Sequence, residues 1–270
     1  LLPMVTRGDK ILDQALSRVG GKDLFVKEVE HAVLERRADI AVHSLKDMPT
    51  EIPEGLVLAA HPPREDPRDA LVAPGFEGLD ALPKGATIGT SSLRRSAQLR
   101  RVRPDLNIVD IRGNVQTRLA RMKEHGMHGT MLAYAGLIRL EKTELVSEVL
   151  PPDLILPAVG QGILGIEARA DDLRVLDALR QVDDAAARVA AVCERSFLAR
   201  LEGGCQIPIG GHARVDGDEI HLEGLVATLD GQRVVEGRRR GPITEAAFLG
   251  CELAQELLDG GAHEILDALR

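Results

Sequence analysis

The chain has 270 residues, 44% of them hydrophobic, which is enough for two or three compact domains with real cores and excludes disorder as the default. Its formal net charge of −8 repels a phosphate backbone, so nucleic acid is excluded as an expected partner. No apolar run approaches the roughly 18–20 residues of a membrane span, and no basic segment followed by an apolar core opens the chain. The three cysteines, Cys193, Cys205 and Cys251, lack C-x-x-C spacing, so neither a disulfide framework nor a metal site is expected. A cytoplasmic protein is the reading these features support.

Up to about residue 180, short apolar runs alternate with helical stretches, a pattern that predicts βαβ units around largely parallel sheets. The first helix is predicted over 23–37, where Phe25, Val29, Ala32 and Val33 share one face. ADIAVH at 38–43 then reads as a buried strand. HPPREDPRD at 61–69 is punctuated by prolines and predicts a crossing between two lobes, the second starting near Asp69. In that lobe TIGT at 87–90 runs into a helix at about 92–102, and NIVDI at 107–111 into a helix at about 114–125. GTMLA at 129–133 is the next strand, and LPAVGQGILGIEA at 156–168 reads as a glycine-bearing return to the first lobe. After Asp183 the pattern changes to a helix at about 184–202, strands at 212–215, 219–228 and 232–239, and helices near 243–258 and 262–269. Asp216-Gly217-Asp218 and Asp230-Gly231 are the hairpin signals of this separate α+β domain.

Of the 34 basic residues, 27 are arginine, a bias that suits bidentate recognition of carboxylate or phosphate. Arg94, Arg95, Arg112 and Arg118 stand at two helix starts that follow strands. Free N–H groups, the helix dipole and the hydroxyls of Thr90, Ser91 and Ser92 add to them a candidate anion site. The competing reading is ordinary surface arginine paired with carboxylates. Cys205 lies on a tight loop after a helix and can project toward a cleft, although a lone loop cysteine is more often inert. Cys193 falls on the apolar stripe Val189, Val192, Cys193, Phe197 and reads as a core residue, as does Cys251. Asp47, with Lys46 and His43 beside it at a strand end, is either an acid/base or cation-stabilising group or the cap of a turn before Pro49. Together these features describe two α/β lobes closing on a small polyanion.

Several motifs carry a resemblance in order and spacing over essentially the whole chain. They are GGKDLFVKEVE at 20–30, HSLKDMP at 43–49, REDPRDA at 64–70, GTSSLRR at 89–95, RGNVQTR at 112–118, AGLIRL at 135–140, LPAVGQG at 156–162 and LEGGCQIPIG at 201–210. The chain resembles the hydroxymethylbilane synthase (porphobilinogen deaminase) family. The resemblance implies an α/β fold of two lobes like type-II periplasmic binding proteins plus a small C-terminal α+β domain. The implied ranges are 1–64 with 163–181, 65–162, and 183–270. It implies a transferase of tetrapyrrole and haem synthesis that condenses four porphobilinogen molecules head to tail, releasing ammonia, on a covalent dipyrromethane. It further implies a monomer whose partner is the small substrate.

By the same resemblance, Cys205 carries the dipyrromethane through a thioether. Lys46, Thr90, Ser92, Arg94, Arg95, Arg112 and Arg118 bind it, and Asp47 is catalytic. Arg18, Lys22, Phe25, Arg139 and Arg195 face the substrate, with 10–22 as a mobile loop over the cleft. The family's earlier strand and helix, with a Thr-Arg-x-Ser-Pro-Leu segment, are not found, so a fragment is the expectation. Asp23 replaces a usual glycine and is expected to cap the first helix. The rival from another class is a non-catalytic solute-binding module, since two such lobes bind small anions without chemistry; a catalytically dead synthase is a second alternative.

Overall fold

The computed structural model describes Leu2, residues 23–201 and residues 207–269, with the side chains of 23–25 outside that description. Three sheets organise these residues. The first has the order β1-β8-β2, from Ile40–Ser44, Leu164–Arg169 and Leu56–Ala60. The second has the order β5-β4-β6-β3-β7, from Asn107–Val109, Thr87–Gly89, Gly129–Ala133, Asp69–Val72 and Glu148–Leu150. The third is a meander of β9 (Ile209–Asp216), β10 (Glu219–Ala227) and β11 (Val234–Pro242). Two α/β lobes and a small C-terminal α+β domain are thus present.

The expectation of largely parallel sheets is corrected. Both β1 and β2 pair antiparallel with β8, and β3 pairs antiparallel with β6 and β7; among the described residues only β4 runs parallel to its neighbours, β5 and β6. The reason is the crossover: β8 is the returning chain and enters the first sheet between two strands running the other way. Local periodicity does not carry that direction. Nor is β1 fully buried, since Ile40 and Val42 are 38% and 56% exposed while Ala41 is inside. It stands at the edge of its sheet among the described residues, so only one of its faces packs.

Helix α1 covers Asp23–Leu34 and buries Val26, Ala32 and Val33. Asp23 is the first helical residue rather than the cap, and the helix stops before 37 because Arg36 takes a left-handed φ of 59°. Helix α2 (Leu93–Val102) follows β4, and helix α3 (Val115–Glu124) follows β5, as the sequence predicts. Side chains cap both: Ser92 Oγ accepts from Arg95 N and Asn114 Oδ1 from Thr117 N. Helices α4 (Tyr134–Arg139) and α5 (Leu173–Leu179) precede α6, Ala185–Arg200.

Helix α6 packs with α7 (Ala246–Leu257) on the meander, and α8 (His263–Asp267) completes that layer. Fully buried Phe197 is central here: a Cβ on Gly224 would lie 2.5 Å from its ring. Cys193 is in this core as expected. Two expectations are corrected: Cys251 is exposed at the rim of the helix pair, its Sγ 3.9 Å from Ser196 O of α6, and Val192 is 43% exposed, lying one position off the buried stripe. The same core includes Leu45, Met48, Val159 and Ile163 of the first lobe and crossover, so the C-terminal domain grips the turn after β1. The two crossover strands touch directly. Glu65 N donates to Gly162 O, and a Cβ on Gly162, whose φ is +87°, would sit 2.3 Å from Glu65 O.

Candidate active site

The turn after β1 is a single 3-10 turn, Leu45–Asp47. Leu45 and Met48 are buried on one side of it, which turns Lys46 and Asp47 to the other; Lys46 is half-buried and Asp47 exposed. Across from them stands β3, where Asp69 is fully buried in an otherwise apolar strand. That carboxylate is answered by the first turn of α2. Arg94 Nη1 reaches Asp69 Oδ2 at 2.6 Å, and Arg95 donates from Nε and Nη2 to Oδ1 at 3.0 and 2.7 Å. Both arginines are 4% exposed, so neither is the surface pair that was the competing reading. Burial pushes the Asp69 carboxyl up, and the two guanidinium groups more than reverse it, holding it well below the usual carboxylate range.

Gln161, from the crossover, closes the cluster. Its Nε2 donates to Asp69 Oδ1 at 2.8 Å and to Pro67 O at 2.7 Å, and its Oε1 accepts from Lys46 Nζ at 3.3 Å. Loss of solvation brings the Lys46 ammonium down to about 8; Arg95 and Arg94 act in the same direction, while Asp47 and Asp69 oppose it. Arg118 of α3 is lowered to about 10, first by burial and then by Arg95, with Asp47 opposing. These couplings place Lys46, Asp47, Arg95 and Arg118 within one electrostatic field. Arg112 lies beside it, its Nε 3.6 Å from Asp110 Oδ2.

The remaining predicted residues divide. Thr90 is buried, its Oγ1 accepting from Ser92 N, and Ser92 caps the helix that bears the arginine pair. Ser91 Oγ donates to Ile111 O. Arg139 Nη2 reaches Gly162 O at 2.8 Å, next to Gln161. Arg195 Nη2 donates to Thr50 O at 2.8 Å, and burial lowers it against the pull of Glu167. His43 Nε2 lies 2.8 Å from Oε2 of that same buried Glu167. Arg18, Lys22, Cys205 and the segment 10–22 lie outside the described residues, as does the side chain of Phe25.

Sequence reasoning missed Asp69, Gln161 and the pair Arg64–Glu194. Glu194 is wholly buried on α6; its Oε1 accepts from Arg64 Nη1 and Ala213 N, and its Oε2 from Gly160 N, each at 2.6 Å. One signal was available for each carboxylate. Asp69 opens the apolar run DALV, and Glu194 interrupts the apolar face of α6 beside Cys193.

Comparison with known proteins decides the family. Residues 1–177 match the porphobilinogen deaminase, dipyromethane cofactor binding domain, and residues 189–259 match the porphobilinogen deaminase, C-terminal domain. The chain belongs to the porphobilinogen deaminase family. It is 52% identical over 269 residues to a porphobilinogen deaminase of Syntrophotalea carbinolica, covering 100% of this chain and 85% of that protein. A porphobilinogen deaminase of Carboxydothermus hydrogenoformans is 51% identical over 271 residues, covering 100% and 87%. Among solved structures, a putative methionine-binding lipoprotein of Bacillus subtilis aligns at a TM-score of 0.38 and 13% identity, over 58% of this chain and 74% of that one. A probable amino-acid ABC transporter extracellular-binding protein of the same species aligns at 0.34 and 12%, over 58% and 68%. At those scores the likeness carries no weight for function, and the fold description rests on the sheets themselves.

The site's donor set fits the cofactor named for the family. Lys46, Arg94, Arg95 and Arg118 supply four cationic groups against the carboxylates of Asp69 and Asp47, a surplus that a carboxylate-bearing dipyrromethane would neutralise.

Proposed function

We propose that this chain condenses four porphobilinogen molecules head to tail, releasing one ammonia at each step, to give the linear tetrapyrrole hydroxymethylbilane on a dipyrromethane held through Cys205. The observation that carries the reading is the hydrogen-bonded cluster of Arg94, Arg95, Asp69, Gln161 and Lys46, with exposed Asp47 next to Lys46, in a chain matched by this family along most of its length. Lys46, Arg94, Arg95, Arg112 and Arg118, with Thr90 and Ser92, would hold the dipyrromethane carboxylates. Each well-formed charge-assisted bond contributes about 1.5–3 kcal/mol. When bound, the dipyrromethane supplies the pyrrole carbon to which the first unit is joined. Arg18, Lys22, Phe25, Arg139 and Arg195 are assigned to the incoming substrate.

Loss of ammonia leaves the substrate pyrrole electron-poor, and a positive charge near three cations needs a carboxylate. Asp47 is the exposed carboxylate coupled to both Lys46 and Arg118. It accepts the pyrrole N–H, balances the developing charge and takes the proton released as the new bond forms. The domain ranges belong to the same proposal, supported by strands 40–60 and 164–169 sharing one sheet, strands 69–150 a second and strands 209–242 a third. So do a cytoplasmic location and a monomeric state; among the described residues no helix is long and apolar enough to cross a membrane.

The direct test incubates the purified chain with porphobilinogen and follows substrate, ammonia and product mass together. One ammonia released per porphobilinogen consumed, with a linear tetrapyrrole formed, is the expected result. Saturable binding without consumption would instead make this a solute-binding protein.

A further inference from the structure

Gln161 is 1% exposed and sits between two glycines with left-handed backbones, Gly160 at φ +75° and Gly162 at φ +87°. The orientation of its side-chain amide is determined by its neighbours. Nε2 faces Pro67 O and Asp69 Oδ1, both acceptors, and Oε1 faces the Lys46 ammonium, which can only donate. A flipped amide would set oxygen against oxygen and NH2 against ammonium. Gln161 is therefore a neutral spacer that separates the Lys46 charge from the Asp69 carboxylate while bonding to both. Its main chain is tied the other way: Gln161 O accepts from Arg64 Nε at 3.0 Å, and Arg64 and Gly160 both end on Glu194 of α6. Glu194 also binds Ala213 N of β9, so the path from the C-terminal domain to Lys46 is an unbroken run of hydrogen bonds.

We infer that Gln161 is a positioning residue, which fixes where Lys46 presents its charge and makes that placement depend on how the C-terminal domain is docked. The inference deepens the proposed reaction and rests on it for its consequence, but its first test does not require turnover. The charged and titratable groups facing Lys46 are Asp47 on its own turn, Arg94 and Arg95 from α2, and Asp69 from β3. Gln161 Oε1 adds an acceptor that favours the charged ammonium. Removing it lowers the pH at which Lys46 loses its proton, whereas a glutamic acid, protonated on the oxygen that faces Asp69 and Pro67, keeps an acceptor on Lys46 and holds that pH at or above the wild-type value.

The experiment is trace acetylation of the full-length chain across pH, with the extent at Lys46 read by peptide mass spectrometry. The wild type is compared with Gln161→Met and Gln161→Glu, and thermal unfolding is measured for all three. The Lys46 midpoint is expected near 8 in the wild type, lower by about one pH unit in Gln161→Met, the equivalent of one hydrogen bond to a charged group, and at or above the wild-type value in Gln161→Glu. A fall in Gln161→Met that Gln161→Glu does not share is not explained by loosened packing, because both substitutions lose the amide and only one loses the acceptor. Midpoints that stay together in folded variants would overturn the inference. With porphobilinogen as substrate, the alkaline limb of kcat should follow the Lys46 midpoint; a shift at Lys46 without any turnover in the wild type would instead count against the reaction and leave the positioning role standing.

Discussion

Asp69→Asn is expected to lower the stability of the folded chain by about 3–5 kcal/mol, the cost of leaving a buried ion pair without one partner. The substitution keeps the shape of the side chain, removes its charge and sets an NH2 group against one of the donors that Asp69 now accepts from. Arg94 and Arg95 are each 4% exposed, and both depend on this carboxylate for their countercharge. Their other acceptors are backbone carbonyls, Leu156 O for Arg94 and Met131 O for Arg95, which satisfy hydrogen bonds but not charge. Denaturant unfolding of the wild type and the variant at neutral pH measures the effect, and equal midpoints with equal slopes would contradict it. The pH dependence has a definite sign. Asp69 has its carboxyl held below the unfolded-state value, so its contribution is complete above the ordinary carboxylate range and is lost as pH falls through its folded-state value. In Asp69→Asn that part of the acid sensitivity disappears.

Asp47→Ala is expected to behave oppositely, leaving stability near that of the wild type and abolishing turnover, with a loss of at least ~10²–10³-fold as for other preorganised charge-stabilising groups. Asp47 is exposed, so its removal opens no cavity. What it removes is the carboxylate set among Lys46, Arg95 and Arg118, which would otherwise face a cationic pyrrole with like charge. The variant should still carry the dipyrromethane, because the arginines and Cys205 are untouched. Steady-state porphobilinogen consumption, with intact mass on the same sample, separates loss of chemistry from loss of cofactor. Turnover near the wild-type rate would remove Asp47 from the mechanism.

Much of this was legible in the sequence wherever the signal is local. The helices after β4 and β5 begin within a residue or two of their predicted starts because their caps, Ser92 and Asn114, announce them. The hairpins at Gly217 and Gly231 were legible for the same reason, both residues taking positive φ. Features that join distant parts of the chain were not. Gln161 meets Asp69 across 92 positions, and Arg64 meets Glu194 across 130. A periodic pattern says which face of an element is buried and not what it is buried against, so a charged residue on such a face reads as an irregularity until its partner is seen. Strand direction was lost in the same way, because β8 inserts from far along the chain between β1 and β2. Cys251 was misread because exposed Phe248, one turn before it, carries the apolar pattern of α7 past the face that Leu249 and Leu253 bury.

Whether this chain carries its own pyrrole primer on Cys205 is decided by the intact mass of the purified protein, measured beside Cys205→Ser. A mass increase of two pyrrole units is expected on the wild type and none on the variant. An unmodified wild type, or the same increase on Cys205→Ser, would contradict it.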